Sequence, residues 1–144
     1  MSKLKLTSVS YSTVSLATAQ EVINAGVKAA EAIGIPMSIV ITDRTGQIKA
    51  AAQMDGATAL PFQVAYKKAW TAAVTGAATV DVHGFISGDQ GATLSMPHVE
   101  NFSVVAGGLP IVSDEGCIGA VGVSGASPEL DLQVARAAVA ALLG

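Results

Sequence analysis

Residues 37–54 read Met-Ser-Ile-Val-Ile-Thr-Asp-Arg-Thr-Gly-Gln-Ile-Lys-Ala-Ala-Ala-Gln-Met, and this stretch decides the fold class. Met37 to Thr42 is a short apolar run rich in β-branched residues, which suits a buried strand. Asp43-Arg44-Thr45-Gly46 supplies turn chemistry: Asp bonds its own following backbone, and Gly46 tolerates positive φ. Gln47 to Met54 then returns as a second strand, giving a β-hairpin. Ala50, Ala51 and Ala52 form strands poorly in isolation, but the turn that precedes them outweighs that local propensity.

Helical periodicity flanks the hairpin. From Ser15 to Ile33, Leu16, Ile23, Val27 and Ala30 share one face. Ser15 or Thr18 caps the start, Gly34 suits the exit, and Pro36 bars continuation. On the other side, Pro61 to Gly76 places Phe62, Ala65, Ala69 and Ala73 on one face, with Tyr66 beside them. Thr79 to Phe85 predicts a further short helix capped by Thr79. Ser87 to Asn101 reads as a long loop, a kind of segment that in compact domains is usually functional or disordered.

Phe102–Ala106, Leu109–Ser113 and Cys117–Ser124 predict three more strands, the last two joined by the Asp114-Glu115-Gly116 turn. A helix from Pro128 to Leu142 closes the chain, capped by Ser127, with Glu129 and Asp131 at its positive N-terminal end. Residues 1–12 read as an extended segment. Hairpins dominate the connections, so the expectation is one α+β domain over residues 1–144, a mainly antiparallel sheet of about five strands flanked by helices. Gly119, Gly122 and Gly125 do not match a dinucleotide fingerprint; glycines inside a strand point instead to a closely packed helix.

Composition narrows the function classes. The 144 residues carry a net charge of −3, with 8 Lys and Arg scattered along the chain, so nucleic acid is not an expected partner. No apolar run reaches the roughly 18 residues of a membrane span, so no membrane partner is expected either. The first eleven residues lack the apolar core of a secretory signal. The single Cys117, inside an apolar run, reads as a buried small hydrophobe in a reducing, cytoplasmic compartment. Charged residues make up only 13%, about half the usual roughly 25%, which implies surface covered by other copies in a homo-oligomer.

Several residues carry candidate chemistry. Gly107-Gly108 lets backbone approach a ligand closely, or simply forms a strand corner. Asp55 follows the hairpin and Lys67-Lys68 lies on the next helix; a lysine beside Asp55 at a pocket rim would orient an acid while the carboxylate moves a proton. His98, close to Met96 in the long loop, has the chemistry of a haem-iron ligand, with His83 a weaker second. These histidine stretches and the glycine corner are expected to enclose one concave, partly apolar space, completed by a neighbouring copy.

Six segments in order carry a resemblance. They are Ile39–Gly46, Gln53–Ala57, Lys67–Ala73, Ala106–Pro110, Gly119–Gly125 and the helix holding Leu130, Asp131, Val134 and Ala135. Together they resemble the GlcG/HbpS-like family, which includes the C-terminal domain of PduO-type proteins. The resemblance implies an α+β fold, tight dimers that assemble up to octamers, haem binding in several members, and a pocket lined here by Asp43, Met54, Asp55, Lys68, Gly107 and Gly108. The chain departs from the family at Gln53, where Arg is common, and in the Ser95–Glu100 loop. Three functions stay open at this level: a haem or tetrapyrrole binder, a small enzyme on hydroxy or keto acids using Asp55 and Lys68, and a non-catalytic oligomeric accessory protein.

Overall fold

A computed structural model describes residues 3–143. In chain order it holds α1 (Leu16–Ile33), β1 (Ser38–Asp43), β2 (Ile48–Gln53), α2 (Leu60–Thr75), α3 (Thr79–Ser87), α4 (Gln90–Ser95), a 3₁₀ turn (Met96–His98), β3 (Gly108–Ser113), β4 (Gly116–Ser124) and α5 (Pro128–Ala140). The strands form one antiparallel sheet in the order β2-β1-β4-β3. The hairpin at 37–54 thus supplies one central strand and one edge. β1 pairs on both sides and is nearly all buried, whereas the alanine-rich β2 is an edge.

Strand alternation sorts the core into two layers around the sheet. Ile39, Ile41, Val121 and Val123 pack on one face with Val22 and Ala30 of α1 and Val134 and Ala138 of α5. Val40 points to the other face, against Ala65 and Ala69 of α2. Small residues on α2 let it lie close to β4. A Cβ on Gly122 would run into the backbone of Ala65 and Ala69, so the in-strand glycine serves helix packing as its position suggests. The caps form as expected: Ser15 accepts from the Thr18 N–H and Ser127 from the Leu130 N–H. Each is worth about 1 kcal/mol.

Four strands form where about five were expected, because Phe102–Ala106 is not one. Its backbone bonds go to threonine side chains instead of a ladder. The Ser103 N–H donates to Thr71 Oγ1 (2.9 Å), and the Val105 carbonyl accepts from Thr79 Oγ1 (2.7 Å). Thr79 is therefore no cap; its oxygen also accepts from the Gly108 N–H at 3.1 Å. The expected loop at 87–101 is mostly helical. Asp89 caps α4 by accepting from the Ala92 N–H, and the Thr93 hydroxyl ties α4 to α3 by donating to the Ile86 carbonyl at 2.8 Å.

Candidate ligand site

Lys68 and Asp131 come from opposite faces of the sheet and meet beside the Gly107 corner. The Lys68 ammonium donates to Asp131 Oδ2 at 2.8 Å and to the Val123 carbonyl at 2.9 Å. The other Asp131 oxygen accepts from the Ala126 N–H at 2.9 Å. Both residues are almost wholly buried. Burial pulls the Lys68 pKa below its ordinary value, and the Asp131 carboxylate opposes that pull without cancelling it.

The corner itself is filled. Gly107 has φ +129°, and a Cβ there would lie 2.7 Å from the Val123 carbonyl and 2.8 Å from Lys68 Nζ. A Cβ on Gly108 would collide with the Lys68 backbone. Two expectations are corrected here. The double glycine is a close-packed strand corner where even a Cβ would collide, and Lys68 is paired with Asp131, not with Asp55.

The remaining candidates fall elsewhere. Asp43 lies at the opposite end of β1 and shapes the β1–β2 turn: its Oδ1 accepts from the Thr45 N–H (2.8 Å), the Thr45 hydroxyl (2.7 Å) and the Gln47 N–H (3.1 Å). Burial would raise its pKa, but these hydrogen bonds, together with Lys49, hold it below the ordinary value. Met54 and Asp55 line an open groove of about 400 Å³ at the β2 edge, with Val27, Glu31, Ala52 and Gln53. Met54 Sδ accepts from the Met37 N–H at 3.4 Å, and Asp55 is exposed. The six pocket candidates therefore occupy three separate places.

His83 on α3 and His98 on the 3₁₀ turn are both exposed and do not share a space with the glycine corner. Their surroundings were less legible in the sequence. Val82 and Ile86 bury one face of α3, which leaves Phe85 standing 78% exposed; Leu94 on α4 is 65% exposed. A hollow of about 350 Å³ beside Phe85 is lined by Thr75, Ala77, Asp81 and Val82. The available signal was a surplus: α3 holds more apolar residues than one buried face absorbs. Cys117 is half-buried, not buried, and lines a cleft with Arg44, whose guanidinium stacks on Tyr11 at 3.9 Å.

Known proteins resemble this chain in sequence and in fold. A family model described as "Haem degrading protein HbpS-like" matches residues 14–140. The corrinoid adenosyltransferase PduO of Citrobacter freundii is 31% identical over 119 residues, covering 82% of this chain and 36% of that protein. The chain therefore spans about a third of that relative's length. A double mutant of HbpS from Streptomyces reticuli superposes with a TM-score of 0.86 at 28% identity, over 100% of this chain and 95% of that one. A structure of a PduOC:heme complex gives 0.83 at 27% identity, over 91% and 96%. Among the described residues no helix is long and apolar enough to cross a membrane. By sequence and by fold, the chain is a member of the HbpS-like family.

Proposed function

We propose that this chain binds haem or a related tetrapyrrole, as an accessory to small-molecule metabolism, on the surface formed by α3, α4 and the 3₁₀ turn. The observation that carries the reading is the joint exposure of Phe85, Leu94, His83 and His98 within that one excursion. Exposed apolar side chains that gather into one patch mark binding surfaces, and Phe85 and Leu94 are the two most exposed large ones of this excursion. A neutral imidazole is a good axial ligand for haem iron, and aromatic and aliphatic side chains suit the faces of the macrocycle. These are the residue types that haem takes: His98 or His83 would hold the iron, and Phe85 or Leu94 would meet the ring. Bound haem would supply the redox and ligand chemistry of its iron.

A relative solved with haem supports the reading. One copy leaves this surface open, so the reading includes a homo-oligomer, a dimer or assemblies up to an octamer, in which a second copy closes it. It extends to a cytoplasmic location, in keeping with a single unpaired thiol. A proton-transfer enzyme built on Asp55 and Lys68 is not carried forward, because Asp131 holds Lys68.

Haemin titration followed at the Soret band tests this. The full chain should show a saturable shift, and the His83→Ala/His98→Ala variant should move the band or weaken affinity by at least about tenfold, some 1.4 kcal/mol. A saturable band untouched by that variant overturns the ligation by histidine. Absence of any saturable shift overturns the reading.

A further inference from the structure

The segment before α1 is built like a strand yet has no partner. Lys3–Tyr11 reads Lys-Leu-Lys-Leu-Thr-Ser-Val-Ser-Tyr, alternating and rich in strand-forming residues. Every residue of it is exposed, with Leu4, Leu6, Val9 and Tyr11 between 69% and 78% open to solvent. Among the described residues it makes no hydrogen bond to the rest of the chain; the first backbone tie is the Val14 N–H to the Ile118 carbonyl at 2.8 Å. The base is held, since Thr13 Oγ1 accepts from the Arg44 N–H at 3.0 Å and Arg44 stacks on Tyr11. An arm with a fixed root and an unsatisfied, apolar length calls for an edge to pair with.

The sheet has two free edges, β2 and β3. β3 carries Pro110, which has no N–H to offer and blunts that edge. β2 has no proline and no covering helix on its Lys49/Ala51/Gln53 face, where all three are exposed. Beside its last residues lies the groove of Val27, Ala52 and Met54, whose rim carries the carboxylates Glu31 and Asp55. Neither carboxylate has an ion-pair partner among the described residues. The groove lining holds no cation, while Lys3–Thr13 holds two lysines and no acid. Lengths agree as well: at about 3.3 Å per residue, seven residues of arm span the six of β2.

We propose that Lys3–Val9 of one copy adds as a strand to the free edge of β2 in a second copy, its leucines meeting the Val27–Ala52–Met54 groove and its lysines, on the opposite face of the added strand, reaching Asp55 beyond the end of β2. Main-chain bonds then give affinity, and the groove and charges give register. This deepens the self-assembly part of the reading above and is independent of haem.

Sedimentation velocity on the full chain, on a form lacking residues 2–9, and on Lys3→Glu/Lys5→Glu tests it, with circular dichroism confirming the fold of each. The truncated form should associate at least about tenfold more weakly, and the double lysine variant should weaken in the same direction. Adding Asp55→Lys to the lysine variant should restore association. Unchanged association on truncation overturns the arm while leaving self-assembly standing. A full chain that stays monomeric, with residues 3–9 protected from protease, overturns both, because the arm then seats on its own edge.

Discussion

At the Gly107 corner every charged group is buried and answered, whereas on the α3–α4 excursion large apolar side chains and two imidazoles stand in water. The corner draws on α2, β4, α5 and the chain entering β3, and binds them through one ammonium with two oxygen partners. The excursion rests on Val82 and Ile86 alone among its large apolar residues and turns Phe85 and Leu94 outward. Polar chemistry inside a core is committed to holding that core. Apolar surface left outside is what remains available to a partner or a ligand. The lysine thus belongs to stability, and the proposed haem surface is made of what stands outside the core.

The largest expected effect sharpens that contrast by substitution. Lys68→Met leaves the Asp131 carboxylate buried against one N–H, and breaking a buried pair in this way costs about 3–5 kcal/mol. Lys68→Met combined with Asp131→Leu should recover most of that loss, since an apolar pair of similar volume avoids the unpaired charge. Phe85→Ser, by comparison, should change stability by no more than about 0.5 kcal/mol, as exposed positions do. Urea unfolding of the three variants checks all of this. A stable Lys68→Met, or a Phe85→Ser that unfolds the domain, would reverse the assignment of the two regions.

A smaller effect follows from pH. The folded-state pKa of Lys68 lies below its ordinary 10.5, which the unfolded chain keeps. Below the folded value both states are protonated, and the native state bears the full cost of a buried ammonium. Between the two values the native state releases its proton first, so the unfolded state binds more protons and stability rises with pH. The urea midpoint of the natural chain should therefore climb relative to that of Lys68→Met as pH approaches 10.5. A difference that narrows or stays constant contradicts the burial argument.

Much of the scaffold is local and was legible. Asp43 and Gly46 announce the hairpin turn, Ser15 and Ser127 announce their helices, and Gly122 announces the close approach of α2. What escaped was set by long-range contacts. Phe102–Ala106 has strand-like composition, but Thr71 and Thr79 capture its backbone from helices 26 to 32 residues away. Lys68 and Asp131 are 63 residues apart, and nothing local distinguishes that pairing from Lys68 with Asp55. Spacing on α3 shows two apolar directions without saying which faces water. Gly91 hides α4, whose start depends on one aspartate cap.

The most direct test of the account is a hydrogen-exchange footprint of the full chain with and without haemin. Protection is predicted in residues 79–98, with little change at the already closed Gly107 corner. Protection confined to the Met54–Asp55 groove or the Arg44–Cys117 cleft, with 79–98 unchanged, would contradict it.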